Sequence, residues 1–135
     1  MPLTRQALHN SGEQVHVAVW PTVHEKHQIA SRHYAIEGRC FVLAAGQLMQ
    51  AKDIPQGLTL PKHLADAPET YLLKGGSCII APNGDYVVDP VFETEQIVQA
   101  TIDLDQVIEE QMTLDTTGHY QRHDVFQFEL NRSRP

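Results

Sequence analysis

The chain has 135 residues, 41% hydrophobic and 20% charged, a balance that fits one folded domain and excludes a disordered segment. Its formal charge of −7 is spread along the sequence, which excludes a nucleic-acid groove built from clustered Lys and Arg. No apolar run reaches the length of a bilayer span and no basic-then-apolar leader is expected, so no membrane partner is expected either.

In chain order, a helix is predicted over 2–10, with Pro2 in its first turn, Leu3, Ala7 and Leu8 as its apolar stripe, and Gly12 past its end. Residues 14–20 contain VHVAVW, a β-branched run of strand length, with His16 and Ala18 on its second face. Pro21 stops that strand and Thr22 is placed to cap the next helix. That helix, over 24–37, carries Ile29, Ala30, His33, Tyr34 and Ile36 at helical spacing and ends at Gly38. The run CFVLAA at 40–45 is a second strand. Strand, helix, strand in that order predicts a parallel pair in an α/β layer.

Pro55, Gly57, Pro61 and Pro68 break any long element between 46 and 73, which is expected to be an irregular functional or contact loop. Order returns at Gly75-Gly76-Ser77 and CIIAP, and Asn83-Gly84 marks a hairpin because both residues tolerate positive φ. A strand is predicted over 97–102, a helix over 104–112 capped by Asp103, and a last strand in VFQFEL within the tail at 118–135. No repeat or linker divides residues 1–135.

Several side chains invite chemistry. Cys40 and Cys78 each begin a strand and lack a Cys-x-x-Cys spacing, so two buried thiols in a reducing, cytoplasmic setting are expected rather than nucleophiles or a disulfide. His24, Glu25 and His27 have i, i+3 spacing, not the i, i+4 spacing of a zinc-protease helix, so a polar face is expected and no metal. Glu37, beside Arg39 and near Arg32, reads as an ion-paired residue at a helix end. Trp20, Pro21 and Thr22 close a strand whose end could face a ligand crevice, with a core Trp20 as the competing reading. His119, Arg122 and Asp124 form a charged cluster in the tail.

The run His33-Tyr34-Ala35-Ile36-Glu37-Gly38-Arg39-Cys40-Phe41-Val42-Leu43, preceded by Ala30-Ser31-Arg32, resembles the nitrilase branch of the carbon–nitrogen hydrolase superfamily. So do Gly75-Gly76-Ser77 through Pro82-Asn83-Gly84, Ala100-Thr101-Ile102-Asp103-Leu104, and the tail Gly118-His119-Tyr120-Gln121-Arg122 with Asp124-Val125-Phe126. Together these stretches leave mainly 46–73 unmatched. Asp89-Pro90 and His123 depart from the family pattern.

Met1-Pro2-Leu3, Arg5, Ala7 and Leu8 resemble the helix that follows the family's catalytic cysteine. The resemblance therefore implies a truncated, carboxyl-terminal half without the catalytic cysteine, glutamate and lysine, expected to be inactive alone. It implies half of an αββα sandwich, a mixed sheet with helices on one face. It implies a small-molecule nitrile as substrate once an amino-terminal half is present, no cofactor, and a homo-oligomer whose dimer face uses helices 2–10 and 24–37. It implies Trp20, Pro21 and Thr22 beside the substrate pocket, and Glu37, His119, Arg122 and Asp124 as structural residues near it. The competing expectations are a non-catalytic module that co-oligomerises with a full-length nitrilase and, more weakly, a metal-binding protein using 24–33.

Overall fold

The computed structural model describes residues 1–133; the last two residues of the expected 118–135 tail lie outside them. The elements are α1 (Pro2–His9), β1 (Val15–Trp20), α2 (Glu25–Gly38), β2 (Phe41–Gly46), β3 (Leu48–Gln50), a 3-10 turn (Ala51–Asp53), α3 (Lys62–Ala65), β4 (Tyr71–Ile80), β5 (Tyr86–Phe92) and α4 (Asp105–Gln111).

β1 and β2 pair in parallel, Val15 opposite Phe41 through Trp20 opposite Gly46, and α2 makes the crossover such a pair requires. The ten-residue β4 is the spine of the sheet. Antiparallel to it run β2, with Ala44 opposite Cys78, and the short β3 that continues β2, with Leu48 opposite Lys74. β5 pairs along β4 across the hairpin at Asn83-Gly84, where Gly84 has φ +86 and donates to the Ala81 carbonyl at 2.8 Å. Pro90 sits where three steps along β5 match two along β4, and such a bulge tolerates a residue without an N–H.

Alternation of side chains gives the sheet two unlike faces. Towards α2 point Val42, Ala44, Cys78 and Ile80, which form one core with Val23, Tyr34, Ala35 and Cys40. Phe41 points the other way and is buried against Ala81, Val107 of α4 and Ile102. The result is a mixed α/β sheet. α2 covers one face, while α4 meets the opposite face at the Phe41 corner.

Arg39, not Gly38, ends α2 in the left-handed conformation, at φ 48. Its side chain holds it there, donating to Leu114 O and Pro82 O at 3.3 Å and to Glu110 Oε2 at 3.1 Å. Gly38 answers a different need: a Cβ there would lie 2.3 Å from the His9 ring. Thr22 does not cap α2. The cap residue is His24, whose backbone N–H donates to His27 Nδ1 at 3.2 Å.

The segment 46–73 is more ordered than its prolines suggest. β3, the 3-10 turn and α3 lie within it, and Ala51 N–H donates to Thr70 O at 2.9 Å. Residues 97–102 are not a strand, because no neighbouring strand pairs with them among the described residues. VFQFEL is not a strand either: Phe126 N–H turns back to Arg122 O at 2.8 Å. Both segments carry the alternation of a strand without the ladder that makes one.

Candidate functional site

The parallel strands β1 and β2 end side by side at Trp20 and Gly46, and carboxyl ends of strands in an open α/β sheet are where crevices form. Three backbone segments are stitched together there. Gln47 N–H donates to Pro21 O at 3.1 Å, Gly75 N–H to Gln47 O at 3.1 Å, and Val23 N–H to Gly75 O at 2.7 Å. Ser77 Oγ accepts from Gly46 N–H at 3.0 Å. Glycine is required at this crossing. A Cβ on Gly46 would lie 2.2 Å from Gly75 O, and one on Gly76, at φ +87, would lie 2.5 Å from Val23 O.

Two cavities flank Gly46. One, of about 500 Å³, is lined by Val19, Trp20, Pro21, Ala45, Gly46 and Gln47. The other, of about 600 Å³, adds Ser77, Gln50, Tyr71, Thr94 and Gln96, with Lys52, Asp53 and Glu95 as its charges. Lys52 is already paired with Glu69 at 2.6 Å. Together the cavities offer backbone, hydroxyl and amide groups that can seat a small polar molecule.

Trp20 borders the first cavity, but its indole lies on the helix side of the sheet. Nε1 donates to Ser31 Oγ at 3.3 Å and the ring packs on His27 with centroids 4.7 Å apart. Pro21 forms the rim. Thr22 is buried behind it, its hydroxyl directed at Gly75 O at 3.4 Å. Glu37 lies elsewhere, at the end of α2 facing α1. Its partners are Arg5 at 2.6 Å and His9 at 3.5 Å rather than Arg32 or Arg39. The guanidinium of Arg5 holds the Glu37 carboxyl below its ordinary range, chiefly through the hydrogen bond.

In the tail, Arg122 binds Asp124 through two hydrogen bonds of 2.7 and 2.6 Å, both side chains largely exposed. That pair holds the Asp124 carboxyl below its ordinary range. His119 packs on Tyr120. Gln121 and His123 border a third cavity, beside His9 at the end of α1. Cys40 and Cys78 lie in the core, and burial pushes their thiols up to about 12 and about 11, the opposite of what a nucleophile needs. His24 stacks on His27, and no group of three or more His, Cys, Asp or Glu side chains suited to a metal occurs among the described residues.

Sequence reasoning singles out the strand end at Trp20 and misses Gly46, Gln47 and Ser77 across from it. The signal for them is the Gly75-Gly76-Ser77 run, which lies inside β4, since glycine in a strand interior often marks a close backbone approach.

A family profile described as carbon-nitrogen hydrolase matches residues 1–110. An arylacetonitrilase of Trametes versicolor is 39% identical over 96% of this chain and 41% of its own length. An aliphatic nitrilase of Sinorhizobium fredii is 38% identical over 93% of this chain and 40% of its own. The chain thus spans about two fifths of the length of the curated relatives it matches. A crystal structure of a carbon–nitrogen hydrolase from Helicobacter pylori superposes with a TM-score of 0.67, covering 92% of this chain and 43% of that one. At 14% identity that likeness shows the fold alone.

Proposed function

The chain belongs to the carbon–nitrogen hydrolase family, in its nitrilase branch, and from that premise we propose that it supplies the carboxyl-terminal part of an enzyme converting a nitrile to a carboxylic acid and ammonia. The observation that carries this reading is identity of 36–39% along more than nine tenths of the chain to proteins named as nitrilases. In this reading residues 1–135 are one portion of a hydrolase domain, with Trp20, Pro21, Gly46 and Gln47 as part of the substrate wall. Thr22 braces that wall from behind. The tail residues His119, Arg122 and Asp124 act structurally.

Net hydrolysis adds two waters across the carbon–nitrogen triple bond. In the mechanism the resemblance implies, a thiolate attacks the nitrile carbon, a glutamate moves protons, and a lysine stabilises developing charge. In this reading none of those three roles falls to a residue of this chain. Both thiols are buried with raised pKa values, which supports placing the nucleophile outside these residues. The chemistry therefore depends on residues beyond these, and the chain alone is expected to release no ammonia from aromatic or aliphatic nitriles. A coupled ammonia assay on the purified chain tests this, and turnover above the buffer blank overturns the assignment. Mixing with the amino-terminal part of a nitrilase is expected to restore hydrolysis.

One observation favours assembly as a second role. Val17 and Val19 are 61% and 77% exposed on the sheet face turned away from α2, and Leu3 and Ile29 are 71% and 62% exposed on the helices. Apolar surface of this kind promotes association, so the chain is expected to sediment as a species larger than a monomer; a compact monomer at micromolar concentration contradicts it. Among the described residues no helix is long and apolar enough to cross a membrane. The two free thiols support a reducing, cytoplasmic setting as part of the proposal.

A further inference from the structure

The sheet face turned away from α2 is apolar, and residues 96–102 cross it. β1, β2 and β4 present Val17, Leu43 and Ile79 there, around a cavity of about 230 Å³ that Gln96 and Val98 help to line. Gln96 also borders the larger cavity beside Gly46, and Ile102 packs on Phe41 at the other end of β2. The segment thus runs back along β2 from Gly46 to Phe41. Six steps of it, from 96 to 102, match five of the strand, from 46 to 41, which is the rise of extended backbone.

Val98 and Ile102 lie on the side turned to the sheet, both half-buried, whereas Ile97 on the other side is 89% exposed. That is how side chains sit on a strand of a second layer. The backbone has no matching arrangement. Among the described residues no backbone–backbone hydrogen bond reaches residues 95–102, and no strand is paired with them. A row of main-chain donors and acceptors left open in this way is a template for another strand.

We propose that residues 96–102 take a ladder partner from the part of the hydrolase domain that this chain does not span, on the reading that residues 1–135 are one portion of such a domain. About three fifths of each curated relative lies outside the match, which is more chain than the match itself. A second copy of this chain fits the open strand poorly. Glu95 stands before the segment and Asp103 and Asp105 follow it. Two copies paired in either direction would set carboxylate against carboxylate at both ends, and like charges opposite one another destabilise a ladder. The partner is instead a strand of alternating apolar residues flanked by neutral or basic ones. Its inward side chains extend the cover that Val98 begins over Val17 and Val19, which are 61% and 77% exposed.

Amide hydrogen exchange reads such a ladder directly. In the dilute 135-residue chain, residues 96–102 are expected to exchange like unstructured peptide while β2 and β4 stay protected. Coexpression with the unmatched part of the aliphatic nitrilase is expected to slow them about a hundredfold. Two substitutions locate the bonds, one for each side of the strand, because successive N–H groups point opposite ways. Gln99→Pro and Ala100→Pro each remove an N–H that meets no backbone acceptor among the described residues, so the unfolding midpoint of the chain alone is expected to hold. The one that faces the partner is expected to lower the protection of its neighbours in the complex about tenfold. Protection at 96–102 in the dilute chain overturns the proposal, as does protection that appears only when the chain alone is concentrated, which makes a second copy the partner. Failure of the two parts to associate, or a complex in which neither proline matters, also overturns it. Ammonia release with 96–102 still unprotected sinks the strand pairing and leaves the nitrile-hydrolysing reading standing. Protection without ammonia release supports the pairing and tells against that reading.

Discussion

Gly46→Ala is expected to abolish the cooperative folding transition or lower its midpoint by far more than any surface substitution does. The added Cβ would lie 2.2 Å from Gly75 O, 2.8 Å from Gly75 C and 3.0 Å from Val23 Cγ2. Two of those atoms are backbone, on a strand fixed from both sides, so no side chain can rotate away. Relief requires β2 to part from β4 where Gly46 N–H meets Ser77 Oγ and where Gly75 bonds Gln47 and Val23. Overpacking with backbone displacement, added to lost hydrogen bonds, costs about 4 kcal/mol or more, a large part of the stability of an ordinary domain. Gly12→Ala is the control. Its φ is +76, but a Cβ there meets nothing within 4 Å, so about 1 kcal/mol of backbone strain is expected. Guanidinium denaturation followed by circular dichroism separates the two, and a Gly46→Ala midpoint equal to that of Gly12→Ala contradicts the packing argument.

Pattern alone is enough where structure is local. β1, α2 and β2 come from a β-branched run, a helical apolar period and a second apolar run, and the hairpin at Asn83-Gly84 from two residues that accept positive φ. It fails where the deciding partner is distant. β3 is three residues long and exists because β4 lies beside it, which nothing between 46 and 73 announces. The converse failure is at 97–102 and in VFQFEL, where alternation promises a half-buried strand and no ladder forms. Alternation describes which faces differ, not whether a neighbour is present.

The site divides in the same way. The end of β1 can be read from Trp20 and Pro21, because a strand stopped by proline is a local event. The direction of the Trp20 indole cannot, since Ser31 and His27 reach it only after α2 folds back. Nearness in sequence pairs Glu37 with Arg32 and Arg39. Its actual partner is Arg5, 32 residues away, and Arg39 is taken by Pro82, Glu110 and Leu114. Family likeness supplies what pattern does not: that these strands belong to a hydrolase scaffold.

Phe41→Ala is expected to destabilise the chain by about 3–5 kcal/mol, because Phe41 is 1% exposed and its ring fills the corner between sheet and α4. The loss comes from transfer free energy and from the cavity left between Ala81, Val107 and Ile102. Phe41→Leu, which keeps most of the volume, is expected to cost under about 1.5 kcal/mol. Val107 separates a local cavity from loss of α4 docking. If Phe41 is what seats α4, then Val107→Ala adds little once Phe41 is already alanine, because the helix has no corner left to fill. Full additivity of the two substitutions, read from urea midpoints at constant slope, would mean that α4 stays docked without Phe41. Its anchor would then have to be Glu110 on Arg39, 3.1 Å away. The apolar reading is favoured because Val107 is 2% exposed whereas the Glu110 side chain is 31% exposed, and a partly wet ion pair contributes less than a filled corner.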